Sequence, residues 1–239
     1  MRILITNDDG IESPCLLPLA KWAQQFGEVT IVAPKVEQSA KSHGIEIRQA
    51  FEVKKLESDD IETYTVDSTP ADCVRFAVLG LGKQFDLVLS GINRGLNLGL
   101  DIMYSGTISA VMEADAMGIP AIALSTNPGN YDHATEELDR IFAFFRENRL
   151  MDVNDIYNVN IPASPKGIRI TSQGGPYYSD DFPHMGGDLY RPLGKPIWED
   201  SGNDTLDTDA TLHGYITITP LQLDRTNREV FRQLQVLNG

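Results

Sequence analysis

Short apolar runs closed by polar turns dominate the hydropathy pattern of this chain. Ile3-Leu-Ile5 is the first, and Asn7-Asp8-Asp9-Gly10 stops it. A run this short, with no polar alternation, predicts a strand buried on both faces. Pro14 stands where a helix can begin, and Leu16, Leu19, Ala20 and Ala23 follow at helical spacing up to Gly27. Val29–Ala33 is the next apolar run, closed by Pro34. Strand, helix and strand within residues 1–33 predict a parallel pair joined by a crossover.

The alternation continues. Tyr64–Val66 predicts a strand, and Thr69-Pro70 carries the cap and first-position signals of a helix running to about Leu79. Phe85–Ser90 is a buried strand that empties into Gly91–Asp101, a loop with Gly91, Gly95 and Gly99. Tyr104-Ser-Gly-Thr107 opens a helix to Met117, and a strand over Ala121–Leu124 follows. Leu138, Ile141, Phe142 and Phe145 mark another helix, and Tyr157–Ile161 another strand. After about Thr171 the periodicity fades, and residues 172–209 are rich in Gly, Pro, Asp and aromatics. Such a stretch is seldom idle in a compact domain. It reads as an extension containing a hairpin, which reaches over the site or a neighbouring subunit. Gly214–Pro220 predicts an alternating strand. Thr226 to Glu229 forms a capping box before a stripe of Val230, Leu234 and Leu237. The reading is therefore α/β: a doubly wound, mostly parallel sheet over residues 1–171, with residues 172–239 as a C-terminal extension of hairpin, strand and terminal helix.

Composition narrows the partners. The 239 residues are 41% hydrophobic and carry a net charge of −14. That balance argues against a duplex nucleic-acid partner, which calls for a basic face. No stretch approaches the roughly 20 apolar residues of a membrane helix. The chain enters a strand without a basic region and hydrophobic segment, so a cytoplasmic location is expected. Cys15 and Cys73 sit in apolar contexts and read as reduced core residues.

In an open α/β sheet the loops at the carboxyl ends of the strands form the ligand site. Three of them, Asn7–Gly10, Pro34–His43 and Ser90–Thr107, bring together Asp8, Asp9, Ser39, Ser42, Asn93, Asn97, Asp101, Ser105 and Thr107. These are oxygen ligands and short donors, suited to Mg²⁺, Mn²⁺ or Ca²⁺ rather than zinc. Two adjacent carboxylates repel each other, and a hard cation would compensate them, although a solvated turn would use the same residues. The Gly-rich loop and the helix start at Ser105-Gly106-Thr107 form a natural anion cradle; Ser105 or Thr107 as a plain helix cap is the simpler alternative. The spacing fits neither a Walker loop nor a dinucleotide fingerprint, and no nucleophile elbow is present. His43 is the one histidine on a candidate site loop, and Lys35, Lys41 and Arg94 are the nearest basic residues.

These blocks resemble the SurE (survival protein E) family. The resemblance rests on Ile3–Gly10, Thr69-Pro-Ala-Asp-Cys-Val74, Ser90-Gly-Ile-Asn-Arg-Gly-Leu-Asn-Leu-Gly99, Tyr104–Thr107, Gly118–Ala123, Asn158–Pro162 and Gly214–Leu221, which are collinear over nearly the whole chain. It implies a Rossmann-like fold and a metal-dependent 5′-nucleotidase that acts on nucleoside monophosphates, with broader phosphatase or exopolyphosphatase activity. It further implies one divalent metal ion per subunit, Mg²⁺ or Mn²⁺, held by Asp8, Asp9, Ser39 and Asn93, with Asp8 and Asp9 catalytic. Phosphate is implied near Asn97, Ser105, Gly106 and Thr107. A homodimer or homotetramer that exchanges contacts through the C-terminal extension is also implied. The loop Pro34–Ser39 lacks the basic residues many members carry, and Ser68 stands where Gly is usual. Adjacent aspartates, rather than two spaced one residue apart as in haloacid-dehalogenase-type phosphatases, favour direct attack by water. A metal-dependent nucleotide sensor without turnover would use the same ligands.

Overall fold

The computed structural model describes residues 1–57 and 60–238. Its centre is a nine-stranded sheet built from β1 (Arg2–Thr6), β2 (Glu28–Pro34), β3 (Val53–Leu56), β4 (Glu62–Val66), β5 (Leu87–Arg94), β6 (Ala121–Thr126), β7 (Ile156–Ile161), β8 (Gly167–Ile170) and a late strand, β13 (Tyr215–Pro220). The spatial order is β3-β4-β2-β1-β5-β6-β7-β13-β8. From β4 to β7 every neighbouring pair is parallel; β3 runs antiparallel to β4 and β13 antiparallel to β7. Order proceeds outward from β1 in one direction and resumes at β5 in the other. The topological switch point therefore lies between β1 and β5, where such sheets open a crevice.

Residues of β1 alternate between two cores, as a period of two requires. Ile3 and Ile5 pack with α1 (Leu16–Ala23) and α5 (Leu138–Glu147); Leu4 packs with α2 (Pro70–Arg75) and α3 (Gly106–Ala116). The sheet is thus covered on both faces, and β1, β2, β5, β6 and β7 are buried almost throughout. The predicted faces of α1 and α5 hold: Leu16, Leu19, Ala20 and Ala23, then Leu138, Ile141 and Phe145, are buried. Thr69 caps α2 by accepting from Asp72 N–H at 3.1 Å, and Phe76–Gly80 extends that helix in a wider π-type turn. Cys15 and Cys73 are free and buried.

Several elements depart from the pattern. β5 runs on to Arg94 instead of ending at Ser90, with a register shift that realigns Asn93 on Ser125 and Arg94 on Thr126. Asn93 therefore stands at a strand end rather than in a free loop. β3 carries Lys54 and Lys55 along an exposed edge, and a polar edge strand leaves no hydrophobic pattern to read. β13 is buried along Ile216–Thr219, because it is inserted between β7 and β8 and has no solvent face. Within the extension, β9 (Tyr178–Asp181) pairs with β12 (Leu193–Pro196), and β10 (His184–Gly186) with β11 (Leu189–Tyr190), giving a nested hairpin arm. The short helix α6 (Asp207–Leu212) leads into β13, and α7 (Arg228–Leu234) closes the chain. Asn227 rather than Thr226 caps α7: its side chain accepts from Val230 N–H at 3.0 Å. Among the described residues no helix is long and apolar enough to cross a membrane.

Candidate functional site

The turn after β1 is fixed by its own residues. Asn7 donates from Nδ2 to the Gly10 carbonyl at 2.9 Å and accepts from Gly10 N–H at 3.2 Å. Gly10 sits at φ +93°, in the region that favours glycine, and any Cβ there would press on the backbone of Val36 and Glu37. That close approach seats the loop after β2 against the turn, and Gln38 N–H donates to the Asp8 carbonyl at 2.7 Å.

The two carboxylates engage different partners. Asp8 Oδ1 accepts from Thr107 Oγ1 at 2.6 Å, at the first turn of α3. It is buried, and burial pushes its proton affinity up, while the Thr107 hydroxyl and the N–H groups of Thr107 and Gly106 work against that rise. A Cβ on Gly106 would stand 2.7 Å from Asp8 Cβ, so α3 reaches the turn only because that residue has no side chain. Asp9 Oδ2 accepts from Arg94 N–H at 2.9 Å at the end of β5. Burial, opposed by the Arg94 N–H bond and reinforced by the charge of Asp8, raises Asp9 to about 6. The Arg94 guanidinium lies 4.0 Å from Asp9 Oδ1 and donates to Glu37 at 3.3 Å. Ser39 Oγ in turn donates to Glu37 at 2.7 Å.

The three predicted loops therefore meet, but their residues do different work. Asp8, Gly106 and Thr107 are in direct contact. Asp9 is joined to Arg94, and Ser39 reaches that pair only through Glu37. Asn93 donates from Nδ2 to the Gly95 carbonyl at 2.8 Å, and its Oδ1 has no partner among the described residues. Ser105 takes the cap role, accepting from Ile108 N–H at 3.2 Å. Asn97 is buried and built in: Nδ2 donates to Ser125 Oγ at 2.7 Å, its N–H donates to Asn160, and its carbonyl accepts from Asn158 and Asn160. Ser42 Oγ donates to the Met103 carbonyl at 2.7 Å, pinning the second loop to the third. Asp101 accepts from Tyr178 N–H at 2.8 Å, in the hairpin arm. His43 lies away from the aspartates, with Nε2 2.7 Å from Glu113, which also accepts from Arg75. Lys35 pairs with Glu52 and Asp67 instead of facing the turn.

Sequence reading left Glu37, Asn158, Asn160 and Asp207 without roles. Asn158 and Asn160 carry a signal: in an otherwise apolar buried strand they alternate onto one face, where buried amides need partners. Asp207 carries none, because its partners Gly99 and Gly174 are remote in sequence.

A hard cation fits this donor set. Two adjacent carboxylates, Asp8 buried and Asp9 partly buried, carry raised proton affinities, the Asn93 Oδ1 is unclaimed, and no lysine or histidine neutralises the turn among the described residues. Cys15 and Cys73 are buried core residues, and no group of three His, Cys, Asp or Glu that could hold a metal forms among the described residues, so the turn offers two carboxylates and an amide oxygen.

Comparison with known proteins agrees with this architecture. The family model described as Survival protein SurE matches residues 3–180. The 5′-nucleotidase SurE of Petrotoga mobilis is 38% identical over 250 residues, covering 98% of both chains. The 5′-nucleotidase SurE 1 of Thermus thermophilus is 40% identical over 239 residues, covering 95% of this chain and 93% of that one. The crystal structure of the SurE protein from Aquifex aeolicus superimposes with a TM-score of 0.80 at 33% identity, covering all of both chains. With the family model matched over residues 3–180, full-length relatives and a matching fold, this chain belongs to the SurE family.

Proposed function

We propose that this protein hydrolyses nucleoside 5′-monophosphates to nucleoside and phosphate, using Asp8 and Asp9 with one divalent ion, Mg²⁺ or Mn²⁺, per subunit. The enzyme class, phosphoric monoester hydrolase, follows from family membership with the 5′-nucleotidases above. The observation that carries the site assignment is the adjacent pair of carboxylates, Asp8 buried and Asp9 partly buried, at the switch point between β1 and β5.

Asp8, Asp9 and the Asn93 Oδ1 are the residues that would hold the ion, with Ser39 joining if its loop turns from Glu37. When bound, such an ion supplies positive charge for phosphoryl oxygens and lowers the pKa of a water. The protein's own groups supply the rest. Thr107 holds the Asp8 carboxylate in one orientation, and Arg94 N–H does the same for Asp9. Preset charges of this kind need no reorganisation when charge develops on a transferring phosphoryl group. Asp8 is closed in by Gly106 and Thr107, whereas Asp9 lines an open cavity, so Asp9 is the better placed to orient an attacking water. The Arg94 guanidinium stands beside Asp9 and provides a cationic contact for phosphate in a loop otherwise poor in basic groups.

Broader phosphatase or exopolyphosphatase activity and a cytoplasmic location belong to the same reading. The extension from residue 172 onward is proposed as the oligomer surface: Phe231, Leu234, Val236 and Leu237 on and after α7, and Phe182, Leu189 and Tyr190 on the hairpin arm, are all exposed. The test is phosphate release from a panel of nucleoside 5′- and 3′-monophosphates with Mn²⁺, Mg²⁺ or EDTA. Release abolished by EDTA and restored by metal supports the assignment; folded protein that releases nothing with any metal leaves a nucleotide sensor.

A further inference from the structure

Asp8 and Asp9 diverge, and open space lies beside Asp9. There a cavity of about 270 Å³ is bounded by Asp9, Arg94, Glu37, Glu12, Pro14 and Tyr131. It is smaller than the roughly 300–1,000 Å³ of drug-sized pockets, so it suits one nucleoside-sized group and no longer chain. Because Asp9 belongs both to the acidic turn and to the cavity wall, an ester group attached to a phosphate at the turn has this space to enter. The α3 side is closed by Gly106 and Thr107.

The wall has the chemistry of a nucleoside site. Tyr131 is half-buried, and its ring rests partly on the core cluster. That ring pairs with no other aromatic among the described residues, and its hydroxyl has no hydrogen-bond partner there. Partial burial fixes the ring without covering it, as a stacking platform requires. Glu12 is exposed on the same wall, and its carboxylate makes no hydrogen bond or ion pair among the described residues. A vicinal diol can donate both hydroxyls to such a carboxylate, whereas a 2′-deoxy sugar can donate only one.

We propose that this cavity is the nucleoside subsite, with Tyr131 stacking the base and Glu12 accepting the ribose diol. The proposal rests on the phosphomonoesterase reading and adds a preference for ribonucleotides over deoxyribonucleotides and over esters that lack a base.

The test measures kcat and KM for adenosine 5′-monophosphate, its 2′-deoxy analogue and glycerol 3-phosphate. Tyr131→Ala should raise the ratio of nucleotide KM to glycerol-phosphate KM about tenfold, the size of one lost stacking contact, while Tyr131→Phe keeps the wild-type ratio. Glu12→Gln, on the exposed surface, should raise KM for the ribonucleotide and narrow its advantage over the deoxyribonucleotide. Unmoved ratios in Tyr131→Ala and Glu12→Gln, or equal losses of kcat on all three esters, overturn the subsite. If the wild-type protein hydrolyses none of the three, the activity assignment fails instead. Equilibrium dialysis of adenosine 5′-monophosphate then decides the subsite: weaker binding to Tyr131→Ala or Glu12→Gln retains it, and equal binding overturns it.

Discussion

Asp207 and Gly99, 108 residues apart, are joined by a backbone N–H that the Asp207 carboxylate accepts through both oxygens, at 3.2 and 3.1 Å. The same carboxylate accepts from Gly174 N–H at 2.7 Å, and Gly99 packs so tightly there that a Cβ would meet the Gly175 carbonyl oxygen at 1.9 Å. One buried acid thus ties the start of the extension to the loop that precedes α3. Asp207→Ala leaves these N–H groups unpaired, at a cost of about 2–3 kcal/mol, or roughly 4–12 °C in Tm for a chain this long. Phosphate release should fall with it, because the loop carrying Asn97 and Ser105 loses its tether. A variant that melts and turns over like the wild type would separate the extension from the site.

Thr107 sets the geometry of Asp8. Thr107→Val keeps the shape and removes the one side-chain donor to a buried carboxylate, which should cost about 2 kcal/mol. Activity should drop by more than tenfold, and Thr107→Ser should restore most of it by returning the hydroxyl. Paired thermal melts and kinetics on both variants check this. Full activity in Thr107→Val would show that Asp8 needs no fixed orientation.

Much of this arrangement is legible in the sequence, because it depends on local patterns. Ile3–Ile5, Val29–Ala33 and Ala121–Leu124 announce buried parallel strands, and Asn7–Gly10 announces the turn that ends the first. What is not legible depends on pairs distant in the chain. Asp207 sits in Asp-Thr-Asp-Ala-Thr-Leu, whose helix shows no apolar stripe because its polar residues are buried against the extension. Val53-Lys-Lys-Leu56 announces no strand because one edge of it meets water and its lysines break the apolar pattern. Asn97 looks like a ligand by composition, yet its amide nitrogen is spent on Ser125, a neighbour that only the fold supplies. Arg94 is visible beside Asn93, but its place between Asp9 and Glu37 follows from the register shift in β5.

Metal affinity should depend on pH through Asp9. Its folded-state pKa of about 6 lies above the ordinary carboxylate value of 3.8, with burial as the main cause. Between those two values the native state holds more protons than the unfolded state, so metal-free stability falls as pH rises through that window. A cation binds the deprotonated form and offsets the loss. The rise in Tm on adding Mn²⁺ should therefore be small at pH 5 and larger at pH 8, and Asp9→Asn should flatten the difference. Equal Mn²⁺ shifts at both pH values in the wild-type protein would remove Asp9 from the ligand set.

His213 makes the extension sensitive to pH as well, with the same sign. Nδ1 lies 2.6 Å from Asp204 and Nε2 3.1 Å from Asp200, and these partners, Asp204 first, raise its pKa above 6.5. The loop they belong to wraps Asp209: Ser201 Oγ, the N–H groups of Ser201 and Asn203, and Trp198 Nε1 all donate to its carboxylate. Burial opposes ionisation of Asp209, yet these donors hold it down at about 2, so it stays charged across the working range. The titrating partner is therefore His213. A histidine raised in the folded state stabilises fully below its unfolded pKa, and that contribution is lost as pH rises through the folded value. The wild-type protein should melt above His213→Gln at pH 6, and the gap should close by pH 9. Because the same loop leads into α6 and Asp207, hydrogen exchange at Gly99 and Gly174 should speed up alongside the loss. A gap that widens with pH would mean that His213 acts as a neutral hydrogen-bonding residue and not as a cation.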